Sequence, residues 1–366
     1  MRLRAARDQL LPVLQQVIGV VERRQTLPIL GHVLLDAAGE SLTATTTDLE
    51  VELQASTALS AQEPGRITLP ARKLLDIIRS LPDQADVELT HSSGQVSLKS
   101  GRSRFTLAPL PAEDFPALEE ISVQSELRLA ATMLRALLHR THFAMAQQDV
   151  RYYLNGLMLE TARSGIVAVA TDGHRLALCE LPLAESVSQD GQVIVPRKGV
   201  QELLRLLGDI DAEIVVQLAG NHFRVIAPGL RFTCRLIDGR FPDYRRVVPE
   251  ESESPLVADR RSLREALARA AILSNEKYRG VRVRLVPDML SIMAQNPENE
   301  QAEEELQVEY QGGEVETGFN VSYLLDALGA ISGDVVQLSF FDSNSSCLVR
   351  DADDERCRYV IMPMRL

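Results

Sequence analysis

The same series of landmarks runs along this chain three times, at intervals of 124 to 127 residues. Gly31, Gly156 and Gly280 each open an apolar strand pattern (GHVLLD, GLMLE and GVRVRLV). Thr47-Asp48 returns as Thr171-Asp172. LPARKLLDIIRSL from Leu69 returns as VPRKGVQELLRLL from Val195 and, in degenerate form, as FNVSYLLDALGAI from Phe319. Phe105, Phe232 and Tyr359 sit in similar strands, each 127 residues after the last. Repeats of about 20–50 residues indicate stacked solenoids, whereas a unit this long is the size of a domain. A third of the 366 residues is enough for an independent core. The chain therefore reads as one domain used three times, with a function that arises from how the copies are arranged.

Each copy reads as a helix, several strands, a second helix and a strand meander. The apolar pairs Leu10/Leu14, Met133/Leu137 and Leu263/Leu267 are spaced i,i+4 and give each first helix one buried stripe. Alternating segments such as EIVVQL, FRVIAP and RFTCRL are joined by turn residues at Ser93-Gly94, Gly220-Asn221 and Asn344-Ser345. Hairpin-linked strands make antiparallel sheets, so the class is α+β, with two helices packed on the sheets of each repeat. The expected domains are 1–125, 126–253 and 254–366, with polar linkers at 122–127 and 250–256.

Composition is that of an ordinary soluble globular protein, 45% hydrophobic and 25% charged. A net charge of −12 argues against a generic nucleic-acid-coating protein, though not against a basic patch on an acidic body. Cys179, Cys234, Cys347 and Cys357 have neither C-x-x-C spacing nor a dense framework, so free thiols in a reducing compartment are expected. The opening MRLRAARDQLLPVLQQVIGVV loosely imitates a signal peptide, but Asp8, Gln9, Pro12, Gln15 and Gln16 interrupt its apolar region. No run of about 18 apolar residues exists. A soluble, cytoplasmic protein is the expectation.

Enzymatic motifs are missing: the chain has no G-x-x-x-x-G-K-[ST], G-x-G-x-x-G, G-x-S-x-G or H-E-x-x-H. Asp172 and His174 in ATDGHRLAL could be read as an acid/base pair, but they are too close along an extended chain to face each other and lack an activated nucleophile. His139 and His142 are spaced i,i+3 without further metal ligands nearby. No cofactor and no metal are expected. Basic residues, in contrast, recur in place. Arg72 and Lys73 open one second helix and Arg197 and Lys198 the next, with Arg79 and Arg205 two turns on. The third copy carries Arg260, Arg261, Arg264 and Arg269 on its first helix instead. Acidic residues gather elsewhere, in PENEQAEEE and EESES, which leaves the basic helices to attract a polyanion on one side.

Longer stretches carry a resemblance. QDVRYYLNG (148–156), ATDGHRLA (170–177), VPRKGV (195–200), DGRFPDYRRV (238–247), RAAILSNEKYRGVR (269–282), GFNVSYLLD (318–326) and YVIMPMRL (359–366) together resemble the β subunit of the bacterial replicative DNA polymerase, the sliding clamp. The resemblance runs from TLPILG (26–31) to the last residue. It implies three domains in a crescent and two crescents joined head to tail into a homodimeric ring, a heterologous contact that closes. Helices would line a hole through which duplex DNA slides. Binding would be topological and independent of base sequence, without catalysis, and would hold the polymerase on DNA.

The resemblance also implies sites. Arg24, Arg72, Gln148, Tyr152 and Tyr153 match positions that touch DNA, alongside Arg197 and Lys198 from the basic pattern. Ile272 and Leu273 match the apolar centre of the dimer interface, facing Phe105 and Leu107. At its rim Lys73, Arg102 and Arg104 would meet Glu298, Glu300, Glu303 and Glu304. A pocket for partner peptides maps onto Leu154, Thr171, Gly173, His174, Arg175, Leu176, Pro242, Arg246, Val247, Asn320, Tyr323, Ser346, Val360, Met362, Pro363, Met364 and Arg365. Asn344-Ser345-Ser346 makes one wall of that pocket polar. Arg175, Arg246 and Arg365 are expected at its rim, and the apolar ending VIMPMRL is expected to be docked beside it. The implied partners are double-stranded DNA, the polymerase α subunit, the clamp loader and translesion and repair proteins that carry short linear motifs, with no membrane. A multi-domain adaptor that does not bind DNA and an enzyme built on Asp172/His174 are the competing readings.

Overall fold

A computed structural model describes residues 1–21, 27–116, 122–162, 165–183 and 191–365. One succession of elements occurs three times. The first copy comprises β1 (Arg2–Ala6), α1 (Arg7–Val17), β2 (His32–Ala38), β3 (Ser41–Thr47), β4 (Val51–Ala58), β5 (Gly65–Pro70), α2 (Ala71–Ser80), β6 (Asp86–Ser92), β7 (Gln95–Ser100) and β8 (Ser103–Leu107). The second comprises β9 (Ser125–Ala130), α3 (Ala131–His139), β10 (Gly156–Ala162), β11 (Gly165–Thr171), β12 (Arg175–Pro182), β13 (Gly191–Pro196), α4 (Arg197–Leu206), β14 (Glu213–Ala219), β15 (His222–Ala227) and β16 (Leu230–Arg235). The third comprises β17 (Leu256–Asp259), α5 (Arg260–Ile272), β18 (Gly280–Val286), β19 (Met289–Gln295), β20 (Gln301–Gln307), β21 (Val315–Asn320), α6 (Val321–Ala330), β22 (Val335–Ser339), β23 (Cys347–Asp351) and β24 (Cys357–Ile361). The expected linkers are shorter than the sequence implied, because 125–127 belong to β9 and Leu256 opens β17.

Local chemistry accounts for these elements. The second helices bury one stripe, Leu74, Leu75 and Ile78 in α2 and Leu324, Ala327 and Leu328 in α6. Asp259 caps α5 by accepting from the Ser262 amide at 2.7 Å, and Asn320 caps α6 by accepting from the Ser322 amide at 2.9 Å. Ser93 and Gly94, at φ of 53° and 76°, form the two-residue turn between β6 and β7, as the sequence indicated.

Two compact units result, residues 1–132 with 201–236 and residues 133–200 with 237–366, their boundaries falling within α3 and α4. All strand pairs in both are antiparallel. The first unit holds an eight-stranded sheet ordered β5-β2-β3-β4-β16-β15-β14-β9 and a four-stranded sheet ordered β1-β6-β7-β8. The second holds an eight-stranded sheet ordered β13-β10-β11-β12-β24-β23-β22-β17 and a four-stranded sheet ordered β20-β19-β18-β21. Each eight-stranded sheet joins half of one repeat to half of the next, through β4 with β16 and through β12 with β24. No helix among the described residues is long and apolar enough to cross a membrane.

The cysteines differ from expectation. Cys234 and Cys347 are free and buried, but Cys179 and Cys357 form a disulfide across β12 and β24. The two are 178 residues apart in sequence. Only the strand register, which sets them directly opposite each other, brings them together.

Candidate functional site

In the second unit, the residues expected to form the peptide pocket lie around the end of the β11–β12 hairpin. The turn between those strands is closed by its own side chains. Thr171 Oγ1 donates to the Arg175 carbonyl at 2.6 Å and accepts from the Gly173 amide at 3.1 Å. Asp172 Oδ1 accepts the amides of His174 and Arg175 at 2.9 and 3.0 Å. Gly173 has φ +89°, a conformation that strains any other residue, and a Cβ there would lie 2.9 Å from the Arg151 guanidinium and displace it. Asp172 is thus a turn-forming carboxylate. Its other oxygen takes Arg175 Nε at 3.1 Å, which leaves the suspected acid/base pair with His174 without geometric support.

Arg175 is the most constrained group of this set. Its Nη1 donates to Asp326 at 2.5 Å and its Nη2 to the Phe143 carbonyl at 2.7 Å. The guanidinium stacks 4.5 Å over the Tyr323 ring and 5.4 Å over the Phe143 ring. Its side chain is 13% exposed, so Arg175 is a strut inside the wall and not the free rim charge that the sequence suggested. Burial, and next the nearby Asp172, raise the Tyr323 hydroxyl above its ordinary range. Phe143 and Asp326, which hold Arg175, carried no signal in the sequence.

The floor is apolar. Leu154, Leu176 and Val360 belong to one buried cluster with Met158, Leu178, Phe241, Tyr244 and Leu348. Burial of Tyr244, reinforced by Glu160 at 3.2 Å, pushes its hydroxyl up to about 12. Around the floor, Pro242, Val247, His174 and Met362 are exposed, while Asn320, Ser346, Pro363 and Met364 are half-buried. Arg246 is exposed and pairs with Asp243 at 2.9 Å, and Arg365 is also exposed. The chain end is docked as expected: the Met362 amide donates to the His174 carbonyl at 2.9 Å and the Met364 amide to the Gly318 carbonyl at 2.8 Å. In the polar wall, Asp342 accepts the amides of Asn344 and Ser345 at 2.7 and 2.8 Å and forms a tight turn.

A loop beside the hairpin carries the second set of residues. The Asn155 side-chain amide clasps the Asp149 backbone: its Oδ1 accepts from the Asp149 amide and its Nδ2 donates to the Asp149 carbonyl, both at 2.9 Å. Arg151 grips Asp149 at 3.0 and 2.8 Å and reaches the Asp172 carbonyl at 3.2 Å. The Arg151 guanidinium holds the Asp149 carboxyl at about 2. This frame presents Gln148 at φ +54°, Val150 at 95% exposure and Tyr152 at 57% exposure. Tyr153 packs against the apolar cluster instead, its ring edge-on to Tyr152 at 5.8 Å. Val150 is an exposed apolar tip that the sequence reading passed over.

The remaining basic residues are less free than their spacing suggested. Arg197 Nη1 donates to the Met145 carbonyl at 3.0 Å, and burial together with Arg175 lowers its pKa. Lys198 is half-buried. In the first unit Arg72 and Lys73 are exposed on α2, and Arg72 Nη2 donates to the Val21 carbonyl. Arg24 lies outside the described residues.

The interface candidates fall at two sheet edges. β8 and β20 are the last strands of their four-stranded sheets, and no described strand pairs with their outer edges. Their equivalents at the joined positions are better covered: for β8, β16 is buried at four of six residues and β24 at four of five, and for β20, β4 is buried at four of eight and β12 at five of eight. β8 is buried only at Leu107, and β20 at no residue. Beside β20, Ile272 at the end of α5 is 76% exposed and Leu273 half-buried. Arg102, Arg104, Glu298, Glu300 and Glu303 are exposed and Phe105 is half-buried. Glu304 already pairs with Arg269 at 2.9 and 2.6 Å, which makes it a poor rim partner for another chain. Cavities of about 670 Å³ (Arg282, Met293, Glu303) and about 800 Å³ (Arg4, Lys99, Arg102) lie against the two four-stranded sheets.

A threefold α+β repeat with a docked tail, an apolar cluster beside it and two open sheet edges defines a repeat-built binding protein. In order, the chain matches the N-terminal domain of the DNA polymerase III beta subunit over residues 1–119, the central domain over 128–243 and the C-terminal domain over 245–365. It is 54% identical over 362 residues to the beta sliding clamp of Pseudomonas aeruginosa, covering 98% of each. It is 48% identical over 367 aligned residues to that of Escherichia coli K12, covering 100% of each. A crystal structure of the Pseudomonas aeruginosa DNA polymerase III subunit beta superposes with a TM-score of 0.97 at 52% identity over 100% of both chains. A Caulobacter crescentus beta sliding clamp structure gives 0.96 at 40% identity, over 100% of this chain and 99% of that one. The chain belongs to the DNA polymerase III beta subunit family: it is a DNA sliding clamp, a processivity factor with no catalysis of its own.

Proposed function

We propose that two copies, each of domains 1–125, 126–253 and 254–366, close head to tail into a ring that encircles duplex DNA in the cytoplasm. One observation carries this reading: the chain makes the same strand junction twice internally and leaves the two strands of a third junction open. At the first, Phe232 faces Leu53; at the second, Tyr359 faces Ala177. The register of the third follows from the hairpins. Met158 pairs with Val169 and Val169 with Leu178; their equivalents Arg282, Met293 and Glu303 pair in the same way. Ala302 therefore corresponds to Ala177, as Phe105 does to Tyr359. Phe105 of one copy would face Ala302 of the other, with Arg104 opposite Glu303 on the solvent side, a favourable cross-strand pair. Ile272, Leu273 and Leu107 would close the apolar side, while Lys73, Glu298 and Glu300 lie toward the rim.

Within the ring, Arg72, Lys198 and Arg24 supply charge for phosphates, and Gln148, Tyr152 and Tyr153 supply a polar and aromatic loop. Arg197 acts mainly through its hold on Met145. The groove of the second unit takes short segments that combine Leu or Phe with an acidic or amide group. The polymerase α subunit, the clamp loader and translesion and repair proteins compete for it. Its unbranched Met362 and Met364 suit a surface that must accept several sequences. The test is retention on nicked circular DNA after loading. An enclosing ring stays on the circle through a salt wash and leaves once the DNA is linearised. Equal retention on linear and circular DNA would favour a contact binder or adaptor instead.

A further inference from the structure

We propose that Cys179 and Cys357 are a reversible oxidation site, a dithiol that peroxide converts into a latch across the β12–β24 junction. This does not depend on the ring reading. The register places the two residues directly opposite each other, with Cα atoms 4.1 Å apart. The Glu180 amide donates to the Arg356 carbonyl at 2.8 Å, so the neighbouring pair carries the ladder bonds and the cysteines occupy the close, non-hydrogen-bonded position. Cys234 and Cys347 are built differently. All four cysteines are buried, but these two face Val51 and Ile361 and not another cysteine, and burial raises both thiols well above their ordinary range.

Cys357 has an activating neighbour. Arg140 Nη1 lies 3.6 Å from its sulfur, and Asp354 at 3.4 Å steadies the guanidinium. Asp354 is itself gripped by Arg356 at 2.7 Å, so part of its negative charge is already spent. A cation at this distance favours the thiolate, the nucleophilic form. Cys357 also opens β24 directly after the turn at 354–356, where a small oxidant gains access by local opening.

In the reaction, the Cys357 thiolate attacks one oxygen of a peroxide and the O–O bond breaks. Water leaves once the released oxygen is protonated, and Cys357 becomes a sulfenic acid. The Cys179 sulfur then attacks the Cys357 sulfur, the S–O bond breaks, and the departing oxygen takes the Cys179 proton as a second water. The two sulfurs give up two electrons and the peroxide accepts them; a dithiol reductant reverses the change. The latch lies on the strands that carry the groove floor, since Leu176 pairs with Val360 in the same ladder. Tyr359 connects it to the wall, its ring 5.9 Å from Phe143, on which Arg175 rests.

The test treats the full-length protein with hydrogen peroxide, blocks remaining thiols and maps peptides by mass spectrometry. A crosslinked peptide joining Cys179 to Cys357 should dominate and vanish with dithiothreitol, while Cys234 and Cys347 stay unmodified. Arg140→Gln should slow its formation several-fold, and the oxidised protein should melt several degrees above the reduced form. Cys357 remaining free to alkylate after peroxide would overturn the pairing. An unchanged rate in Arg140→Gln would overturn the activation, and identical melting of the two forms would overturn the latch.

Discussion

Replacing Ile272 and Leu273 with Ala should turn the ring into folded single chains at working concentrations. Fully burying such a side chain is worth about 1.5–3 kcal/mol. Ile272 is 76% exposed in the single chain, so most of that gain remains for the contact, about 1–2 kcal/mol. Leu273 is half covered already and adds about 1 kcal/mol. A ring of two copies contains the contact twice, so the double variant loses about 4–6 kcal/mol, roughly a 10³- to 10⁴-fold weaker dimer. Exposed pairs such as Arg104 with Glu303, at about 0.2–1 kcal/mol each, cannot offset this. Sedimentation velocity with a fluorescent label, from nanomolar to micromolar, reads the constant, and circular dichroism checks that the fold is intact. A folded double variant whose dissociation constant stays within a few-fold of the parent would refute the placement of the interface.

Other outcomes follow from the groove, the basic residues and the loop. Deleting Met362–Leu366 should abolish binding of Leu- or Phe-containing acidic peptides in calorimetry and leave the dimer unchanged; retained affinity would show that the tail is not part of the groove. Changing Arg72 and Lys198 to Ala should raise the salt sensitivity of loading and leave loaded rings on closed circles. A strong preference for one base sequence in a binding selection would contradict electrostatic contact. Asp149 is depressed to about 2, so its contribution to the loop is fully present above the ordinary carboxylate pKa and lost as pH falls through the folded value. Its side-chain carbon resonance should titrate with a midpoint near 2, and a midpoint close to the unperturbed value of about 4 would show that Arg151 does not hold it.

Much of the fold was legible because it is written in local spacing. Helical stripes such as Leu74, Leu75 and Ile78, and turns such as Ser93-Gly94, depend on residues a few positions apart. The threefold order of elements followed once those local patterns were seen to recur. What could not be read depends on pairing between distant segments. The joining of β4 to β16 and of β12 to β24 carries each eight-stranded sheet across a repeat boundary, so the two compact units do not follow the repeats. The register of β12 on β24 unites Cys179 with Cys357, against the expectation of free thiols. Arg175 and Arg197 looked like available charges because sequence gives their position and not their acceptors, the Asp326 carboxylate and the Phe143 and Met145 carbonyls. The groove residues were named through the resemblance, while Val150, Phe143 and Asp326 needed the structure.

The claim that a third strand junction repeats the two internal ones is tested most directly by a crosslink between copies. Ser103 and Glu304 correspond to Cys357 and Cys179, so they should face each other across β8 and β20 in the close, non-hydrogen-bonded position. In a background with Cys179 and Cys357 changed to Ser, the variant Ser103→Cys with Glu304→Cys should oxidise to a covalent dimer on denaturing gels. The staggered variant Arg102→Cys with Glu304→Cys should remain a single chain. Efficient crosslinking of the staggered pair, or of neither pair in a protein that still sediments as a dimer, would contradict the junction.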